Sequence, residues 1–180
     1  MPTILMLPED TTGINQWQTV GASPEAAVQS DDDDSSFIYE TRDGHEITFT
    51  MANPGVAEET INFDEDVIVR PSVTAHYEGG SGTIDLEIKL TGTGIVLGSN
   101  TVGVAVDSDY PTYNGLSSTS KALFTPWDYA GLENARVKLE CAGRPDRFSY
   151  LRVSYVYIRV DYTAAVVAAV DNSTFFGANF

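Results

Sequence analysis

A single cysteine, Cys141, occurs in the 180 residues. It excludes an internal disulfide framework and any zinc cluster built on cysteines. Histidine is nearly as scarce, with only His45 and His76. Positive charge is short as well: 10 Lys and Arg stand against 26 Asp and Glu, a net charge of −16. Each phosphate contact wants a cation, so free binding to DNA, RNA or an anionic lipid surface is excluded. Long apolar runs are missing too. AAVVAAV, Ala164 to Val170, is the most apolar stretch near the C-terminus, far below the ~20 residues that span a bilayer. The start, MPTILMLPED, has neither a basic flank nor an apolar core of signal-peptide length, so it is expected as an extended arm rather than an export signal. The expected protein is soluble and made in a cytoplasm, with one domain plus arms at this chain length.

What is abundant is strand chemistry. Val, Ile, Thr, Tyr and Phe recur in short runs between Gly, Pro, Asn and Asp. Strands are expected at Ser36–Thr41, His45–Met51, Asp66–Tyr77, Thr83–Leu90, Thr101–Asp107, Ala135–Cys141 and Leu151–Tyr162, with a weaker one at Ser120–Phe124. Asp43-Gly44 predicts a hairpin between the first two runs. Pro71 cannot donate a ladder hydrogen bond, which bends its strand or places it at an edge. In Thr83–Leu90, Ile84, Leu86, Ile88 and Leu90 alternate with Asp85, Glu87 and Lys89, so that strand has one dry and one wet face. The apolar parity of Leu151–Tyr162 switches near its middle and predicts a bulge or burial on both faces. Gly79-Gly80-Ser81-Gly82 and Thr91 to Gly94 read as hairpin turns. Helical turns are expected only at Asp128–Leu132 and Ala164–Val170. The pattern predicts an all-β protein, an antiparallel β-sandwich of jelly-roll-like type with extended N- and C-terminal arms. The expected division is an N-terminal arm over 1–30, a sandwich over 31–163 and a C-terminal arm over 164–180.

Candidate sites are few. No Gly-x-Ser-x-Gly elbow, Walker loop or dinucleotide fingerprint is present. With 26 carboxylates, a glycosidase pair can always be picked by hand and therefore signals nothing. No enzyme activity, no cofactor and no metal site is expected. Calcium is the one ion with candidate ligands, at Asp31, Asp33, Asp64 and Asp66. The spacing lacks the alternation of a dedicated calcium loop and reads better as solvated caps on strands. Tyr110, Tyr113, Trp127 and Tyr129 lie in loop-like sequence with Pro111 and Pro126. They could form a sugar-binding face, plug one end of the sandwich, or pack on a neighbouring subunit. Ile4, Leu5, Leu7 and Trp17 near the start, and Phe175, Phe176 and Phe180 at the end, are large side chains a sandwich need not bury. They are expected to dock on other chains.

The order of features resembles β-sandwich proteins of tailed-bacteriophage virions. The likeness rests on Trp17, on Asp31-Asp-Asp-Asp-Ser-Ser-Phe-Ile-Tyr39, on Val67 to Leu90 with its Gly-rich turn, on Pro126-Trp127-Asp128 with Leu132-Glu133-Asn134, and on Arg152 to Tyr162. It is a pattern of spacing without an invariant motif, and it carries over no catalytic residues. The resemblance implies a non-enzymatic structural protein, first of all a capsid decoration or cement protein that binds and stabilises the head shell through its arms. The alternative is a tail, neck or fibre component whose sandwich binds a glycan receptor. The implied partners are other virion proteins, the major capsid protein first, and further copies of the chain, with a trimer allowed. No nucleic acid or membrane partner is implied. The implied location is the virion, assembled in the host cytoplasm.

Overall fold

The computed structural model describes residues 1–29, 35–92, 95–106, 111–115, 118–119, 127–143 and 148–166. Twelve strands run through these residues: β1 (Thr3–Met6), β2 (Pro8–Thr11), β3 (Gln18–Val20), β4 (Phe37–Glu40), β5 (Glu46–Met51), β6 (Ile68–Glu78), β7 (Thr83–Gly92), β8 (Ile95–Ala105), β9 (Thr112–Asn114), β10 (Ser118–Thr119), β11 (Ala135–Cys141) and β12 (Tyr150–Asp161). One short helix, α1 (Tyr129–Glu133), precedes β11. Every strand pair is antiparallel. The strands form a seven-stranded sheet ordered β10-β6-β12-β4-β3, with β1 also on β12 and β9 also on β6. A five-stranded sheet is ordered β2-β5-β11-β7-β8. The two pack face to face as a jelly-roll-like β-sandwich, the predicted class.

Alternation explains the layers. Along β5, β7 and β11 every second side chain is buried, which places Ile47, Phe49, Met51, Ile84, Leu86, Ile88, Leu90, Val137 and Leu139 against the other sheet. The alternate residues of β7 and β11 face water and carry ion pairs. Lys89 Nζ lies 2.9 Å from both Glu87 and Glu140, and Lys138 pairs with Glu46 across to β5. Burial works against the Lys89 charge, but its hydrogen bonds to two carboxylates, with their charges, outweigh it and raise its pKa. The outer face of the five-stranded sheet is thus a solvated charge lattice.

Two predicted hairpins are corners instead. β4 lies in the seven-stranded sheet and β5 in the five-stranded one, so Asp43-Gly44 carries the chain across the sandwich. Gly44 takes φ +73°, a conformation most side chains disfavour. Its amide donates to the Cys141 carbonyl at 2.8 Å, and the Cys141 amide donates to the His45 carbonyl at 3.0 Å. Buried Glu40 holds the same corner: one carboxylate oxygen accepts from the amides of Thr41 and Arg42, and the other lies 3.1 Å from His45 Nδ1. Cys141 packs beneath. Burial, opposed by a hydrogen bond with the Gly143 backbone and helped by the charges of Glu40, Asp43 and Glu140, pushes its thiol up to about 11. The Gly79–Gly82 turn likewise leads from β6 in one sheet to β7 in the other. There Gly80 is required by space, since a Cβ would sit 2.1 Å from the Tyr77 ring. The second Gly-rich segment does close a hairpin, β7 to β8, its residues 93–94 lying outside the described residues.

Pro71 lies inside β6 and not at its end. The Gly115 amide donates to its carbonyl at 2.8 Å, so its missing N–H faces the side where β9 gives way to β10 and no continuous ladder is needed. The predicted bulge in β12 falls between Val153 and Tyr155. It explains the parity switch: Leu151 and Val153 are buried before it, Val156, Ile158 and Val160 after it. The run Ser120–Phe124 lies outside the described residues.

The N-terminal segment is extended, as expected, but it lies along its own sandwich. β1 pairs with β12 and, after Leu7, β2 pairs with β5, so the chain switches sheets within nine residues (Thr3 to Thr11). Ile4 and Met6 point into the core. Trp17 is buried, and its indole N–H donates to the His45 carbonyl at 3.1 Å. The expected boundary at residue 30 therefore separates nothing: strand alternation puts these apolar side chains inside this chain, out of reach of another. At the other end Ala164 bridges to Ile61, and residues 167–180, with Phe175, Phe176 and Phe180, lie outside the described residues. Met6→Ala is expected to cost about 2–5 kcal/mol of stability, the usual range for truncating a buried Met, read from the denaturant midpoint; a free arm would show no loss.

Candidate functional site

The outer faces of the two sheets differ. That of the seven-stranded sheet presents half-buried aromatic rings: Phe37 and Tyr39 from β4, and Tyr150, Tyr155 and Tyr157 from β12. The bulge in β12 turns its tyrosines outward, since the residue past the bulge returns the alternation to Val156, Ile158 and Val160 inside. Tyr155 and Tyr157 tilt together with ring centroids 5.0 Å apart. They floor a groove of about 560 Å³ that is also lined by Thr3 and Leu5 of β1, Thr112 of β9 and Arg159 of β12.

The register sets the order of side chains across this face. Leu5 stands opposite Arg159, and Arg159 opposite Arg70. One row away Thr3 stands opposite Asp161. On the other side Tyr157 faces Ser72, and Ser72 faces Asn114; then Tyr155 faces Thr74, and Thr74 faces Thr112. The Ser72 hydroxyl donates to the Asn114 side-chain oxygen at 2.7 Å, and the Thr74 and Thr112 hydroxyls lie 3.4 Å apart. The groove therefore has an aromatic floor, an apolar wall at Leu5, which is 53% exposed, the hydroxyls of Thr3 and Thr112 at its sides, and a cation at one end. Such a mixture binds polar ligands that also carry an apolar face.

Asp161 anchors the charged end. It accepts from the Thr3 hydroxyl at 2.7 Å and from Arg159 Nε at 3.0 Å to each oxygen. Burial opposes its ionisation, yet the Thr3 and Arg159 hydrogen bonds, with the nearby Arg159 and Arg70 charges, hold its carboxyl below the usual value.

The residues singled out from sequence fare differently. Trp127 is only 4% exposed and belongs to the core. Asp128 beside it caps α1 by accepting from the Gly131 amide at 2.6 Å. Tyr129 donates its hydroxyl to the Val56 carbonyl at 2.8 Å. Tyr113 packs against the core and accepts from the Ala105 amide at 3.1 Å, tying β9 to β8. These three plug and bridge the sandwich, the second of the alternatives open to them, because each ring or hydroxyl is consumed within the fold. Tyr110 lies outside the described residues, as do Asp31 and Asp33. Asp64 is exposed and Asp66 half-buried, and among the described residues no group of three or more His, Cys, Asp or Glu could hold a metal ion. Leu7 is half-buried at the strand switch, so of the expected docking residues at the start only Leu5 reaches a surface. Tyr155, Tyr157 and Arg159 were missed, although their shared parity and the bulge beside them are visible in the sequence.

No family model matches the chain, and no curated protein does. Among solved structures, CsCBM6-3 from Clostridium stercorarium, in complex with cellobiose, is 16% identical over 87% of this chain and 88% of that one, with a TM-score of 0.39. The Stig cyclase Fisc from Fischerella sp. TAU, in complex with (3Z)-3-(1-methyl-2-pyrrolidinylidene)-3H-indole, is 11% identical over 89% and 85%, with a TM-score of 0.42. A CBM4 structure is 12% identical over 83% and 81%, with a TM-score of 0.37. Two of these three are carbohydrate-binding β-sandwich modules, and none is a phage virion protein. Identity this low leaves function to be argued from this chain's own geometry.

Trp127→Ala is expected to lose about 3–5 kcal/mol, whereas Tyr157→Ala on the outer face should shift stability by no more than about 1 kcal/mol. Urea unfolding of the two variants checks the contrast. The lowered pKa of Asp161 has a sign: its contribution is complete above the unfolded value of about 3.9 and is lost as pH falls through the folded value. Thr3→Val should therefore raise the Asp161 titration in carboxyl NMR and shrink the acid-side loss of stability, with little change at pH 7 in the charge on Asp161.

Proposed function

We propose that the chain is a non-enzymatic binding module that holds a saccharide in the groove on its seven-stranded sheet. One observation carries the reading: Tyr155 and Tyr157 stand side by side on an outer sheet face, half-exposed, within a groove bordered by Thr3, Thr112 and an arginine. A pyranose ring has an apolar face of C–H groups and a rim of hydroxyls. Tyrosine rings suit the face, and hydroxyl and guanidinium groups suit the rim. The rings come from a ladder strand and not from a loop, so little ordering is needed on binding.

This is the glycan-binding alternative of the sequence reading, moved from the Trp127 region to β12. It is compatible with a receptor-binding sandwich in a virion tail or fibre. Clamping a capsid through residues 1–16 is not supported, because Ile4, Met6 and Trp17 are spent in the core.

Screening the folded protein against a glycan array is the test. Binding is expected, with Tyr155→Ala and Tyr157→Ala each weakening it about tenfold or more, roughly 1.4 kcal/mol, at an unchanged unfolding midpoint, and Trp127→Phe leaving it intact. Absence of any glycan binding, or binding indifferent to both tyrosine variants, overturns the reading.

A further inference from the structure

We propose that the saccharide held in this groove is acidic, and that Arg159 together with Arg70 receives its carboxylate; this rests on the groove being the binding site. The two arginines stand directly opposite each other in the β6–β12 register. Like charges placed so repel; Lys89 and Lys138 also stand opposite each other on the other sheet, but there Glu87, Glu140 and Glu46 answer both. This chain has ten cationic residues in all, so setting two side by side at the end of an aromatic groove concentrates a scarce resource.

Asp161 does not absorb the pair. Its two oxygens take Nε of Arg159 and the Thr3 hydroxyl. The terminal nitrogens of Arg159 have no partner among the described residues, and its side chain is 49% exposed. The Arg70 guanidinium likewise has none among the described residues and acts on Asp161 only through its field. Among the described residues, two cations against one anion leave this cluster with a charge of +1 inside a chain of −16. A third charge, negative and supplied by the ligand, would balance the cluster.

Arginine's planar fork matches a carboxylate through two parallel N–H···O bonds. Arg159 lines the groove together with Tyr157, two residues away on the same face of β12. A sugar ring on Tyr157 would then carry its exocyclic carboxylate to the guanidinium. Uronic and sialic acids have this shape. The overall negative charge does not forbid it, since at physiological salt repulsion from charges beyond a Debye length of about 8 Å is largely screened.

The experiment pairs uronate and sialate oligosaccharides with their own methyl esters, which keep the ring and remove the charge, and measures binding by calorimetry at 0.15 M salt. The acids are expected to bind at least tenfold tighter than the esters. Arg159→Gln and Arg70→Gln should each erase most of that difference, weakening the acid far more than the ester. Tyr157→Ala should weaken acid and ester alike. If acid and ester bind equally through Tyr157, or if both arginine variants keep the acid preference, the carboxylate assignment falls while the saccharide groove stands. If sulfated oligosaccharides bind as well as the carboxylates, selectivity for a carboxylate is overturned in favour of a general anion site. If no saccharide of either kind binds, the assignment falls together with the groove reading.

Discussion

The pairing of β12 with β6 is the interaction on which the molecule depends. It runs from Tyr150↔Glu78 to Asp161↔Ile68, is interrupted once, and lies at the middle of the seven-stranded sheet. The other five strands of that sheet hang on its two sides: β4, which carries β3, and β1 on β12; β9 and β10 on β6. The single bulge decides what each half of β12 shows to the core. Before it Leu151 and Val153 are inside; after it Val156, Ile158 and Val160 are. The core needs those five side chains, so the bulge follows from packing, and the outward turn of Tyr155, Tyr157 and Arg159 follows from the bulge. Structure and candidate function share one cause here.

Charge is distributed to match. On the five-stranded sheet, the register sets Lys89 opposite Lys138 and Glu140 between Glu87 and Glu46, and these charges neutralise one another along and diagonally across the strands, each pair partly exposed and worth little by itself. That face is built to be wetted. On the seven-stranded sheet the described groove has aromatic rings, hydroxyls and Arg159, with Arg70 opposite it in the register, in place of such a lattice. Aromatic area and unbalanced like charge both cost a free protein something, and a bound ligand would relieve both. The asymmetry between two otherwise similar sheet faces is what singles out one of them.

Local pattern carried much of the fold. Ile84 to Leu90 and Val137 to Cys141 alternate so regularly that strand, face and burial could all be read before any coordinates, and the β12 bulge could be read from a switch in parity. Pairing could not. Asp43-Gly44 and Gly79–Gly82 look like hairpin turns because turn chemistry reports a change of direction, not which sheet the next strand joins. The aromatic loop residues misled for a related reason. Trp127 and Tyr129 sit among Pro, Asp and Gly, the company of exposed loops, yet one side chain fills the core and the other ties a carbonyl. Loop composition describes the backbone and says little about where a large ring finds its cavity.

By itself, the sequence determined the class of the protein: period-two alternation, turn residues and the absence of long 3.6-residue periods leave antiparallel sheets as the way to bury these side chains. It also determined the net negative charge. Only the tertiary structure decided which strands share a sheet, because register depends on side chains packing across a gap between segments distant in the chain. That decision drew Ile4, Met6 and Trp17 inward from what looked like an arm. It also set Arg70, from the middle of the chain, opposite Arg159 near its end. Neither residue is notable alone, and their meeting at an aromatic groove exists only once β6 and β12 have paired.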